Sequence, residues 1–175
     1  MTDMATYNIV LIGMSGSGKT RTGRYLSKKL NLEFLDTDDL IIFKSKRTVQ
    51  YIFDQYGEEY FRILEANIIK DLAPRTGMVI STGGGVILNE ENIKLLKQNG
   101  IIFFLKANTE TLAKNIKSSS RNRPLLVKDD NLKKKIEKMY SRRKESYISS
   151  ADYIIHVDNK SVIDIADEII YILNK

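Results

Sequence analysis

A glycine-rich octapeptide limits the possible folds of this chain more than any other part of its sequence. It reads GMSGSGKT and comprises Gly13, Met14, Ser15, Gly16, Ser17, Gly18, Lys19 and Thr20. The apolar residues 9–12 precede it and predict a short buried strand, and helical spacing of apolar residues follows it up to Leu30. A strand, a turn of the form GxxxxGK[ST] and a helix, in that order, predict a phosphate-binding loop in an α/β fold.

The residue types of the octapeptide suit a nucleoside triphosphate. Its glycines allow successive backbone N–H groups to converge on phosphate oxygens, and the start of the following helix adds a favourable partial charge. Lys19 can reach the β- and γ-phosphates, and the Thr20 hydroxyl is a suitable magnesium ligand. The alternative is a glycine-rich turn that only packs a helix onto a sheet. We therefore expect the octapeptide to bind a nucleoside triphosphate together with magnesium.

The rest of the chain alternates between strand and helix patterns. We predict strands at 9–12, 33–36, 78–81, 101–105 and 153–157, and helices at about 18–30, 38–46, 48–72, 89–98, 109–117, 131–149 and 162–173. Gly57 is expected to break the long third helix, Thr109 to cap the fifth, and residues 118–130 to form a mobile loop. This alternation favours a five-stranded parallel sheet flanked by helices, in a single domain spanning residues 1–175.

Composition excludes several classes of site. The chain has no cysteine and one histidine, His156. Disulfides and thiolate metal sites are therefore excluded, and a His-based metal cage or a Ser-His-Asp triad is disfavoured. We expect His156 to be a packed side chain rather than a catalytic group. The N-terminus does not resemble a signal peptide and no apolar run has the length of a membrane span, so we expect a cytoplasmic protein without a membrane partner.

The formal net charge of +6 comes mainly from basic side chains between residues 117 and 144. Such a segment fits either a nucleic-acid-binding module or a compact polyanion such as a nucleoside triphosphate. A nucleic-acid-binding module would interleave aromatic and basic residues, but only Tyr140 lies in this segment. We therefore favour the nucleoside triphosphate and expect no nucleic-acid partner.

Two carboxylates end the second predicted strand, at the edge of the sheet where the phosphate loop also lies. The sequence there is Asp36-Thr37-Asp38, and open α/β sheets bind ligands at this edge. One carboxylate can serve the water shell of magnesium, while the other can position an acceptor hydroxyl as a base. The alternative is that Asp38 or Asp39 only caps the following helix.

Three consecutive glycines, Gly83 to Gly85, follow the third predicted strand and Thr82. A Walker-B aspartate would normally end a strand in this region, and none is present. Glycines allow a backbone to approach a ligand closely, although they also fit a flexible turn.

Arginines near these segments are candidate partners for phosphate or carboxylate groups. Arg62 lies on the helix that the fold would place over the site, Arg123 in the predicted mobile loop, and Arg143 on the basic sixth helix. A guanidinium group binds both kinds of anion through paired hydrogen bonds. The neighbouring Arg142 is assigned to the solvated surface.

Together these segments resemble the shikimate kinase family, which belongs to the nucleoside-monophosphate-kinase-like group of P-loop proteins. The resemblance rests on GMSGSGKT followed by Gly23-Arg24, on DTD, GEEYFR, STGGG and RPLL, and on an Arg-x-x-x-Tyr element. It implies a three-layer P-loop kinase fold with strand order 2-3-1-4-5 and a mobile lid at about 118–130. It also implies magnesium-dependent transfer of the ATP γ-phosphoryl group to the 3-hydroxyl of shikimate.

The resemblance further implies a role for each candidate residue. Those implied in catalysis are Lys19, Asp38 and Arg123. Those implied in shikimate binding are Asp38, Arg62, Gly83, Gly84, Gly85 and Arg143. Thr20 and Asp36 would bind magnesium, and Arg121 and Arg123 would join the octapeptide at ATP. Asp38 would assist deprotonation of the attacking hydroxyl, while Arg62 and Arg143 would hold the substrate carboxylate.

Three alternatives stay open at this point. The chain could be a P-loop kinase for gluconate or a nucleoside monophosphate, although STGGG combined with RPLL favours shikimate. It could be a basic nucleic-acid-binding module, or a relative that binds substrates without catalysis. The intact Lys19, Asp36, Asp38 and Arg123 argue against the last alternative. We expect a monomer whose partners are the small molecules shikimate and ATP.

Overall fold

The structure is a computed structural model that describes residues 6–119 and 131–175. Five strands form one parallel sheet in the order β2-β3-β1-β4-β5, as predicted. The strands are β1 (Asn8–Ile12), β2 (Glu33–Asp36), β3 (Met78–Ser81), β4 (Gly100–Lys106) and β5 (Tyr153–His156). All five residues of β1 are buried, because β1 is the central strand and is covered on both faces. This explains why it reads as a continuous apolar run.

Helices flank the sheet and connect its strands. They are α1 (Lys19–Leu30), α2 (Thr37–Ser45), α3 (Val49–Leu72), α4 (Glu90–Gln98), α5 (Thr109–Lys117), α6 (Leu132–Ser150) and α7 (Val162–Leu173). Helix α3 is broken at Gly57, where φ is 80° and ψ is 174°, so the predicted break is confirmed. No helix in the described parts of the chain combines the length and the apolarity needed to cross a bilayer.

Some local predictions were wrong. The N-cap of α5 is Asn108, whose side chain accepts a hydrogen bond from the Thr111 N–H at 2.7 Å, and not Thr109. A short 3₁₀ helix at Val86–Leu88 was not predicted. His156 is exposed rather than packed, because β5 is an edge strand of the sheet.

The parallel arrangement brings three functional segments to one edge of the sheet. The octapeptide follows β1, Asp36 ends β2, and Ser81 ends β3. Asp36 is the register partner of Ser81, and Ser81 is the register partner of Leu11 in β1. These three segments are therefore neighbours, as expected for the carboxyl ends of adjacent parallel strands.

Candidate active site

The first six residues of the octapeptide form the turn between β1 and α1, and its last two residues begin α1. Gly16 and Gly18 have φ values of 89° and 92°, in the left-handed region that glycine adopts without strain. The Lys19 ammonium group donates hydrogen bonds to the carbonyl oxygens of Gly13 at 2.8 Å and Met14 at 3.0 Å. Lys19 is only 8% exposed, so its charge is held inside the loop by backbone dipoles. The Lys19 ammonium group therefore lies at the place where phosphate would bind.

Thr20 in the first turn of α1 and the last residues of β2 and β3 form an oxygen-lined corner beside this loop. The Thr20 hydroxyl donates a hydrogen bond to Asp36 Oδ2 at 2.8 Å and lies 3.5 Å from the Ser81 hydroxyl. Asp36 also caps α2, because its Oδ1 accepts a hydrogen bond from the Asp38 N–H at 3.1 Å. Hydroxyl and carboxylate oxygens are the donors that magnesium prefers, so the corner fits that ion.

The glycine strip Gly83–Gly85 lies at the centre of the site. The Gly83 N–H donates to the Thr37 hydroxyl at 2.9 Å. A Cβ placed on Gly83 would lie 2.7 Å from Glu65 Oε1 and 2.9 Å from Asp38 Oδ1, so these carboxyl groups would have to shift. The absence of a side chain at Gly83 therefore allows α2 and α3 to bring the two carboxyl groups against the backbone.

The other two glycines of the strip touch different parts of the site. A Cβ on Gly84 would lie 3.3 Å from the Ser15 backbone nitrogen in the phosphate loop. A Cβ on Gly85 would collide with the guanidinium group of Arg62. The strip consequently joins the phosphate loop on one side to the arginine on the other.

Helix α3 supplies a partly buried arginine with two acidic neighbours. The Arg62 guanidinium lies 2.9 Å from Glu65 Oε2 and 2.9 Å from Glu58 Oε1. Burial raises the pKa of Glu65 above its ordinary value, and the positive charge of Arg62 opposes this without cancelling it. Burial acts to lower the pKa of Arg62, but the two carboxylates outweigh it and raise that pKa. Arg62 is therefore cationic and held in one place.

Helix α6 also contacts the glycine strip. Arg143 Nη1 donates to the Gly84 carbonyl oxygen at 3.4 Å, and the Tyr147 hydroxyl donates to the same oxygen. The Tyr147 ring is fully buried and stacks on Phe104 of β4, with ring centres 4.9 Å apart. Two residues on one face of α6 thus contact a single carbonyl of the glycine strip.

Comparison with known proteins decides the family. The family model described as shikimate kinase matches residues 15–174. The chain belongs to the shikimate kinase family. It is 41% identical over 163 residues to a shikimate kinase from Caldanaerobacter subterraneus subsp. tengcongensis, covering 93% of this chain and 94% of that protein. It is 42% identical over 165 residues to one from Caldicellulosiruptor saccharolyticus, covering 94% of each chain.

A solved structure agrees with this assignment. The shikimate kinase from Acinetobacter baumannii, in complex with shikimate, superposes with a TM-score of 0.92 at 34% identity. The superposition covers 98% of this chain and 94% of that chain. The predicted fold and strand order are thereby those of a shikimate kinase.

The structure gathers most of the predicted site residues along the glycine strip or the phosphate loop. Those within the described residues are Gly13, Met14, Ser15, Gly16, Ser17, Gly18, Lys19, Thr20, Asp36, Asp38, Arg62, Gly83, Gly84, Gly85 and Arg143. Arg121, Arg123 and most of the predicted lid lie outside the described residues. Arg142 is exposed on α6, as expected for a surface residue.

Two contributors were missed by reasoning from the sequence. Glu65 has no exposed surface and pairs with Arg62, three residues earlier on the same helical face. Tyr147 entered only as the last letter of a motif, without a role. Both could have been found from helical spacing, because residues three or four positions from a functional arginine share its face. Neither burial nor the carbonyl partner of Tyr147 is visible in that spacing.

Proposed function

We propose that this chain transfers the γ-phosphoryl group of ATP to the 3-hydroxyl of shikimate, giving ADP and shikimate 3-phosphate. The observation that carries the proposal is the contact between two half-sites. The phosphate loop touches Gly84, while Asp38 and Arg62 lie against Gly83 and Gly85 of the same strip. A phosphoryl donor in the phosphate loop and a hydroxylated acid beside Asp38 and Arg62 would therefore be neighbours, separated only by the glycine strip.

The acceptor half suits a small cyclic acid with hydroxyl groups. Arg62 and Arg143 are two guanidinium groups that reach the strip from different helices, and together they would hold one carboxylate. Within the described residues, the N–H groups of Gly84 and Gly85 have no hydrogen-bond acceptor, so they can donate to a ligand. The Gly83 N–H is already bound to Thr37. Gly83 would contribute instead by leaving room for the Asp38 carboxyl group beside the strip.

Asp38 would position the attacking hydroxyl and accept its proton. The hydroxyl oxygen would form a bond to the γ-phosphorus as the bond from that phosphorus to the bridging oxygen of ADP breaks, in line with the attack. Lys19 would leave the carbonyl groups of Gly13 and Met14 and donate instead to phosphate oxygens, where it would neutralise developing charge. Arg123 would add a second positive charge, and Arg121 would lie near the nucleotide.

Magnesium would be held by Thr20 and Asp36, with the remaining positions filled by phosphate and water oxygens. The Thr20 hydroxyl donates its proton to Asp36, and a hydroxyl oxygen oriented in this way can also ligate a cation. When bound, the ion would screen the phosphate charges and align the γ-phosphoryl group for attack. Among the described residues, no group of three or more His, Cys, Asp or Glu side chains is arranged to hold a metal ion.

The setting of the enzyme also belongs to this proposal. The protein would act as a monomer, since Lys19, Asp38, Arg62 and Arg143 of a single copy gather at the phosphate loop and the glycine strip. The predicted lid at 118–130 would close over the phosphates and exclude water as a competing acceptor. We expect the reaction to take place in the cytoplasm, with small molecules and no nucleic acid as partners.

The test is release of ADP from magnesium-ATP by the purified protein. Four reactions should be compared, containing shikimate, gluconate, AMP or no acceptor. Release that depends on shikimate, with the phosphoryl group recovered on its 3-hydroxyl, is the expected result. Faster release with gluconate or AMP would show that the acceptor assignment is wrong while leaving the phosphate loop intact. Equal release in all four reactions would show hydrolysis without an acceptor.

A further inference from the structure

We propose that Tyr147 is a positioning residue for substrate recognition, because its hydroxyl holds the Gly84 carbonyl and thereby aims the Gly85 N–H at the substrate carboxylate. The inference rests on the proposed function for the identity of the substrate. It assigns a role to a buried side chain that touches no substrate itself.

Tyr147 is built to hold one orientation. Its ring has no exposed surface and stacks on Phe104 at an interplanar angle of 12°, so the ring has little freedom to rotate away. Its hydroxyl donates to the Gly84 carbonyl oxygen. Burial raises the pKa of this phenol far above its ordinary value, while Arg143 nearby acts in the opposite direction without cancelling it. The hydroxyl therefore remains a proton donor at physiological pH.

The peptide plane transmits this contact to the neighbouring residue. The Gly84 carbonyl and the Gly85 N–H belong to the same peptide group, and no peptide bond in the described chain is cis. In a trans peptide these two groups point in opposite directions. A carbonyl fixed toward α6 consequently directs the Gly85 N–H away from α6. The Arg62 guanidinium lies against the same residue, Gly85.

Arg143 and Tyr147 both donate hydrogen bonds to the Gly84 carbonyl oxygen, but they hold it differently. The Arg143 bond to the Gly84 carbonyl is long, at 3.4 Å, and Arg143 is only partly buried. An arginine that turns toward a substrate carboxylate gives up such a contact easily. Tyr147 lies one helical turn further along, is fully buried, and keeps the carbonyl in place when Arg143 moves. The Gly85 N–H and Arg62 would then face the same carboxylate.

The experiment compares shikimate with its neutral carboxamide in the wild type, Y147F and Y140F. Y147F keeps the ring and its stacking on Phe104 but removes the donor. We expect kcat/KM for shikimate to fall about 10-fold, the size of one lost hydrogen bond to a charged group. The carboxamide should lose less, so that discrimination between the two acceptors narrows, and KM for ATP should stay unchanged. Y140F is the matched control, because the Tyr140 hydroxyl has no hydrogen-bond partner among the described residues.

The outcomes separate the two proposals. If Y147F lowers kcat/KM equally for both acceptors, Tyr147 only maintains packing and the inference is overturned. An active wild type whose discrimination is unchanged in Y147F overturns it as well. Absence of shikimate-dependent turnover in the wild type overturns the proposed function and this inference together. Should Y147F not fold, replacement of Tyr147 by 4-aminophenylalanine retains an N–H donor and must preserve discrimination, and its loss would contradict the inference.

Discussion

The two halves of the candidate site are built in different ways. The phosphate half is one continuous octapeptide in which Lys19 bonds to carbonyl groups five and six residues earlier. The acceptor half is assembled from four separate segments, and its Arg143 reaches a carbonyl 59 residues away. Backbone groups dominate the first half, whereas side-chain charge and burial dominate the second.

This difference separates the consequences of substitution. The phosphate half would contact the nucleotide, which is the same for every acceptor. A substitution there should therefore lower turnover equally with all acceptors. The acceptor half distinguishes one small molecule from another through Asp38, Arg62 and Arg143. A substitution there should therefore change the preference among acceptors while leaving the affinity for ATP unchanged.

The largest effect is expected from K19M in the phosphate half. Removing a cation that contacts the transferred phosphoryl group should lower kcat by about 10³- to 10⁵-fold, the range seen for other such cations. The loss should be the same for every acceptor that supports turnover, as measured by ADP release. K28M is the matched control, because Lys28 is exposed on the same helix. If K19M lost turnover with one acceptor much more than with another, the two halves of the site would not act separately as described.

A smaller loss is expected from D38N in the acceptor half. The amide keeps the size of the carboxylate but cannot accept the proton, so shikimate-dependent turnover should fall by about 10²- to 10⁴-fold. ATP affinity, measured by calorimetry, should stay nearly unchanged. D39N serves as the control, since Asp39 is a half-exposed carboxylate on the same helix and lies 3.8 Å from the exposed Arg24. Near-normal turnover in D38N would remove Asp38 from its proposed role.

The same contrast explains what the sequence could predict. The phosphate loop is specified by eight adjacent residues, and the strand order follows from regular alternation of strands and helices. Asp38 and Arg62 could be named as candidates, but their meeting at Gly83 and Gly85 depends on how α2 and α3 pack. The buried partner Glu65 was missed because burial of a charge arises only from tertiary packing. Helical spacing marks Glu65 as a neighbour of Arg62, but local sequence carries no signal for its complete burial.

R62K sharpens the comparison within the acceptor half. Lysine keeps the charge but loses the fork that can contact Glu65 and a substrate carboxylate together. We expect KM for shikimate to rise about 10- to 100-fold with kcat changed much less, because the lost contact is present in ground and transition states alike. KM for ATP should not change. R47K, at an exposed arginine that lies over Tyr51 and Tyr56, is the control and should behave as the wild type.

The smallest effect is a change of stability with pH, and it tests whether buried charge organises the acceptor half. Burial raises the pKa of Glu65 in the folded protein above its value in the unfolded chain. A group with a raised folded pKa contributes stability that is present below its unfolded pKa and is lost as the pH rises through the folded pKa. E65Q cannot titrate at this position. The free energy of unfolding of the wild type, relative to E65Q, should therefore decrease as the pH rises from about 4 toward neutrality, as measured by urea unfolding. If the difference in free energy of unfolding between the wild type and E65Q did not vary with pH, burial would not destabilise ionised Glu65. Arg62 would then compensate completely for the burial of its charge.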